Sequence, residues 1–157
     1  MTVFDESAWD PDALYLWVWH ANKIPPHVGI SVDGHYFSLK VSGKDIHVPI
    51  DQIVTLIKRK KIVALALKLE RAVALETIYN VFEKLDSAGS FSVSCLFPVK
   101  LILNTMQASK LVELVEELED QRQVQECIGF NTSDFMGIPF YSEQDIHNRL
   151  RSLENAE

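Results

Sequence analysis

Two residues in this chain have the type and setting for nucleophilic chemistry. Cys95 stands in the stretch SVSCLFPVKLILN, after Ser92 and Ser94 and three residues before Pro98. Ser94 carries the hydroxyl of a helix N-cap, and Pro98 falls in the first turn, where a missing N–H does little harm. The spacing therefore predicts a helix that begins near Cys95, with Leu96, Val99, Ile102, Leu103 and Met106 as its apolar face. A thiolate on such a turn is favoured by the positive end of the helix dipole and by free backbone N–H groups.

A nucleophilic thiol also needs a group to take or balance its proton. Of His20, His27, His35, His47 and His147, His27 stands out because it opens a strand directly after the Pro25-Pro26 corner. Gly29, two residues on and on the same strand face, leaves room for a close approach. With a protonated His27 beside it, the Cys95 thiol is expected to titrate below the ordinary cysteine value of about 8.5. The alternative for Cys95 is a small buried hydrophobe, which is also how Cys127, late in an acidic segment, is read.

The elements that would position this pair follow from the surrounding pattern. ALYLWVWHA (13–21) reads as a buried strand, and the prolines of NKIPP end it. HVGISV and HYFSLKV alternate on either side of Asp33-Gly34, a pair that specifies a type I′ hairpin turn. Strands are placed at His27 to Val32 and at His35 to Val41. A two-residue turn sets Gly29 opposite Ser38 and His27 opposite Lys40, so these four share one face, with Ser38 diagonally across from His27. His35 falls on the other face, and His47, beyond the hairpin, stays open as a partner. IHVPIDQIVTLIK begins extended and turns helical, IVALALKL (62–69) is a further strand, and ERAVALETIYNVFEKLDSAG has helical spacing closed by Gly89. After the Cys95 helix, a second helix is expected over about Ser109 to Cys127, and then a tail with MGIPFY and a polar helical end.

The order HVGISV, DG, HYFSLKV, a further strand, a helix and SVSCLFPVKLIL resembles the circularly permuted papain-like superfamily. That superfamily includes permuted NlpC-type amidohydrolases and lecithin–retinol acyltransferase-like enzymes. In those families an HxGI strand carries the general base, and the cysteine arrives later, at the start of a helix. The resemblance spans roughly Leu14 to Met106. It implies Cys95 as nucleophile, His27 as base, and on the next strand a polar residue that orients the imidazole, the place taken here by Ser38.

Bulk properties narrow the alternatives. The chain has 157 residues, 47% of them hydrophobic and 24% charged, which suits a single domain over 1–157 with a core of its own. A net charge of −7 argues against a nucleic-acid partner. The one basic cluster, KRKK at Lys58 to Lys61, reads as a solvated turn. Two cysteines make no disulfide framework, and no CxxC or HxxxH pair points to a metal, nor a glycine-rich loop to a phosphate cofactor. Without a signal-peptide pattern or a long apolar run, the expectation is a cytoplasmic protein with no membrane span and no cofactor. The fold class expected is α+β, a small antiparallel sheet packed against helices in the permuted papain-like manner. The function expected is thiol-dependent hydrolysis or transfer at a peptide, amide or ester bond. The competing reading is a noncatalytic acidic interaction module that binds a protein partner.

Overall fold

The computed structural model describes residues 3–4, 9–23, 26–86 and 94–133. In chain order the elements are β1 (Val3–Phe4), β2 (Tyr15–Trp19), β3 (His27–Val32), β4 (His35–Lys40), β5 (Gly43–Pro49), α1 (Ile50–Arg59), β6 (Ala64–Leu69), α2 (Leu75–Glu83), α3 (Leu96–Leu103), α4 (Leu111–Asp120) and β7 (Val124–Phe130). The architecture is α+β. The sheet runs β1-β7-β6-β2-β3-β4-β5 and is antiparallel except for the β1–β7 pair at one edge.

The period-two pattern of the strands decides which side chains meet which helices. Every residue of β2 is buried, as a central strand covered on both faces requires. Leu16 and Val18 join Val28, Ile30, Phe37, Leu39, Leu65 and Leu67 under the apolar stripes of α2, α3 and α4. Tyr15, Trp17 and Trp19 point the other way, to a layer with Tyr36, Ala64, Ala66 and the Ile50, Ile53 and Ile57 stripe of α1. Trp17 spends its indole N–H on Ser31 Oγ at 2.7 Å, which satisfies two polar groups inside that layer.

The Asp33-Gly34 turn has φ of +52° and +79°, the pair of positive values that a type I′ turn demands. Pro49 ends β5, and α1 starts at the next residue, with Asp51 in its first turn and Lys58 and Arg59 in its last, charges that complement the helix dipole. The KRKK cluster is accordingly the exposed end of α1 and the turn after it.

Two helix expectations change. The helix predicted over about Ser109 to Cys127 stops at Asp120; Arg122 takes φ of +57°, and the chain returns as β7. From Val124 onward the apolar residues suit a strand of the sheet better than another helical turn, and Cys127 is buried in β7 opposite Leu67. The α2 helix is shorter than predicted, and Gly89 lies outside the described residues. Lys44 does the capping instead, its ammonium donating to the carbonyls of Phe82, Glu83 and Leu85 at 3.1, 3.0 and 2.7 Å. The tail helix also lies outside the described residues. Among those described, no helix is long and apolar enough to cross a membrane.

Candidate functional site

His27 is the first residue of β3 and pairs across the sheet with Trp19, their rings 6.3 Å apart. Gly29 pairs with Ser38, the register expected from the hairpin turn. His27, Gly29, Ser38 and Lys40 therefore alternate onto the α1 face. One hairpin further, β4 and β5 reverse at Val41-Ser42, pairing Lys40 with Gly43 and Ser38 with Asp45. Asp45 is thereby fastened at both oxygens. Its Oδ2 accepts from Ser38 Oγ at 2.9 Å, and its Oδ1 meets Lys40 Nζ at 3.1 Å.

Cys95 comes from the other end of the fold, as the residue before α3. It has helical φ and ψ of −61° and −20° and no side-chain cap, so Ser94 does not close the helix through its hydroxyl as predicted; the Ser94 carbonyl instead accepts the Phe97 N–H. Pro98 does sit in the first turn, and Asn104 at φ of +55° ends the helix.

The two regions meet at a cavity of about 860 Å³ between α1 and the β2–β5 part of the sheet. Its walls include Cys95, His27, Trp19, Tyr36, Lys40 and Asp45, with Val48, Ile53 and Leu56 supplying apolar surface. His27 and Cys95 thus face one space, though no hydrogen bond joins them among the described residues. Ser38, fully buried, stands behind the wall as the donor that holds Asp45.

Burial governs the electrostatics. Dense protein around His27 lowers its imidazole to about 4; Asp45 pulls the other way, and Lys40 and His20 add to the lowering. The Cys95 thiol is pushed up by burial, with the Val28 backbone and its own amide opposing more weakly. This corrects the expectation of a depressed thiol pKa. The helix terminus is present, but desolvation of the thiolate outweighs it, and a neutral imidazole contributes no positive charge. The resting pair is a neutral thiol and a neutral imidazole.

Room at Gly29 was legible, and its occupant is Tyr36. A Cβ on Gly29 would lie 2.3 Å from Tyr36 Oη and 2.5 Å from its Cζ, so the phenol needs that bare backbone. Burial raises the Tyr36 phenol far above its usual range, which keeps it protonated. Neither Tyr36 Oη nor Trp19 Nε1 completes a well-formed hydrogen bond among the described residues, although Ser38 and Trp19 lie near enough to the phenol to oppose that rise weakly.

His147 lies outside the described residues, and the other histidines divide. His20 lines the cavity. His47, kept open as a partner for His27, goes to the opposite face: β5 bulges beside Phe37, and His47 takes φ of +52° and stacks on Tyr79 of α2 with centroids 5.0 Å apart. Sequence reasoning missed Asp45, although the cross-strand count that found Ser38 reaches it when continued through the Val41-Ser42 turn. Tyr36 and Trp19 carried no chemical signal, since aromatic residues in strands ordinarily report a core. Among the described residues no group of three or more His, Cys, Asp or Glu is arranged around a metal position. No protein-family model, curated protein or solved structure matches this chain.

Proposed function

We propose that this chain is a thiol-dependent hydrolase or acyltransferase for an amide or ester bond, working in a reducing, cytoplasmic setting. The single observation that carries the reading is that Cys95 and His27, distant in sequence, line one cavity whose wall also holds a carboxylate, Asp45, fastened by Ser38 and Lys40. A neutral His27 has its lone pair free at any pH above about 4. It would accept the thiol proton as Cys95 Sγ bonds to the substrate carbonyl carbon, and would return that proton to the departing amine or alcohol. Water, or a second acceptor, would then release the acyl group from sulfur.

Asp45 is the group that favours the imidazolium formed in between, being the largest influence that raises His27. Ser38 acts on Asp45 rather than on the imidazole, since its proton is directed to Oδ2. Ser38 is therefore a positioning residue. The Cys95 backbone N–H is one donor for the carbonyl oxygen as it gains charge.

The test is acylation. Incubating the full chain with p-nitrophenyl acetate is expected to leave an acetyl group on Cys95, read by peptide mass spectrometry. His27→Ala is expected to slow this by about 10²- to 10⁴-fold, the usual weight of a general base. A modification spread over surface lysines, or a rate unchanged in His27→Ala, would overturn the reading. A second reading has its own support: the raised thiol and the missing Cys95–His27 hydrogen bond suit a cavity that binds a ligand or partner segment without chemistry. Absence of any acyl adduct at Cys95 would put that module in front.

A further inference from the structure

Two of the described histidines, His35 and His47, come together on the side of the sheet away from the cavity. His35 opens β4, and His47 is carried by β5, where the register shifts between Tyr36 and Ser38. A bulge re-aims the side chain it carries. The backbone at His47 holds φ of +52°, a left-handed conformation that a non-glycine residue keeps only where its surroundings impose it. The result is that the Nδ1 atoms of His35 and His47 lie 3.3 Å apart, with the rings nearly perpendicular at 86°. His47 is clamped by the stacked ring of Tyr79 and by the Phe37 ring at 4.9 Å, so its plane is set before any ligand arrives.

That separation has a chemical meaning. Two imidazole nitrogens bound at about 2.0 to 2.1 Å to a tetrahedral ion stand about 3.3 to 3.4 Å apart. We propose that His35 and His47 form a two-imidazole site for a divalent transition-metal ion of the zinc and copper class, each ligating through Nδ1. Both rings then carry their proton on Nε2 and turn both Nδ1 lone pairs to the ion. Without the ion, the same contact needs one ring to donate its Nδ1 proton to the other. The described residues supply no third protein ligand, so the other positions belong to water or to an exchangeable small ligand. Such a site is open, and the exposed His47 leaves it reachable from solvent. It is independent of the Cys95 chemistry, because β4 sends His35 and Tyr36 to opposite faces.

The experiment titrates the full chain with Cu²⁺, Zn²⁺ and Mg²⁺ separately, by calorimetry and by thermal melting. Saturable binding is expected with Cu²⁺ tighter than Zn²⁺, and none with Mg²⁺. The bound ion should raise the melting temperature, since it ties β4 to β5 in the folded state only. His35→Gln and His47→Asn, the second chosen because asparagine tolerates positive φ, should each weaken Cu²⁺ by more than the roughly 10- to 100-fold typical of losing a ligand's supporting contact. Tyr79→Ala should weaken it by about tenfold, as loss of such a contact does. Should a variant fail to fold, the unaltered chain still decides the matter: Zn²⁺ should protect His35 and His47, but not His20, from diethylpyrocarbonate. Equal Cu²⁺ affinity in the variants, no saturable binding, or unprotected His35 and His47 would overturn the site and leave a shared proton between two rings.

Discussion

Among the described residues, three helices pack on one face of the sheet and a single helix, α1, on the other. Six gaps between seven strands span about 29 Å at the usual strand spacing, and one helix with its side chains is only about 10 to 12 Å across. Three helices cover such a sheet, and a continuous apolar cluster lies beneath α2, α3 and α4. One helix does not. Aromatic rings take up part of the deficit: Trp9 lies 4.6 Å from Tyr15 and 5.3 Å from Trp17, centroid to centroid. The rest is the cavity, which Trp19 and Tyr36 line. The three-helix face is packed throughout, whereas the α1 face divides into an aromatic core and a cavity that holds the candidate chemistry, because an open site needs space that close packing would fill.

The largest expected effect tests the covered face. Phe82 is fully buried against Phe37, with centroids 5.7 Å apart, and Phe82→Ala should cost about 3 to 5 kcal/mol in urea unfolding. Leu56→Ala, half-buried on the cavity wall, should cost less, about 1 kcal/mol, because part of that side chain already faces open space. Similar costs at the two positions would erase the distinction between the faces.

Gly29→Ala probes the cavity face where it is tight. The new methyl group must displace the Tyr36 ring, so a loss of about 1 to 3 kcal/mol is expected from overpacking. Gly29→Ala in a Tyr36→Ala background should recover much of it, and failure to recover would place the strain elsewhere.

A pH effect should separate the faces next. Unfolded, His27 titrates near the ordinary histidine value of about 6.5, and folded near 4. Between those values the unfolded chain holds the extra proton. The contribution of a neutral His27 is therefore complete above about 6.5 and is lost as pH falls through 4. Urea midpoints should drop across this window in the parent chain and drop less in His27→Gln. Parallel curves would mean that His27 is not enclosed as described. The acidic limb of Cys95 acylation should likewise fall near 4 rather than near 6.5.

The smallest effect is expected at Tyr36 itself. Tyr36→Phe removes a buried hydroxyl whose nearby Ser38 and Trp19 groups form no well-aligned hydrogen bond with it, so stability should stay within about 1 kcal/mol of the parent or rise. A loss of several kcal/mol would show that the hydroxyl is bonded after all.

Much of the frame could be read from residue order because it depends on local rules. Alternation and an Asp-Gly turn specify a hairpin wherever it occurs, and they suffice to set Ser38 opposite Gly29. The Cys95 helix and its first-turn proline were legible for the same reason. The segment after Asp120 was not, since its apolar residues serve a helix or a strand equally well until a neighbouring strand is there to receive them.

The α+β class, the strand register around His27 and the helix that begins after Cys95 were determined by the sequence, through steric rules that act within a few residues. Tertiary structure decided what those elements meet. Whether a thiol at a helix start is acidic depends on how much protein surrounds it, and the enclosure here raises it. Asp45 became a partner of Ser38 only when a second hairpin closed on the first. A bulge that shifts one strand against the next took His47 from the cavity and set it beside His35. Burial and cross-strand contact are sums over distant residues, and no short stretch of chain contains them.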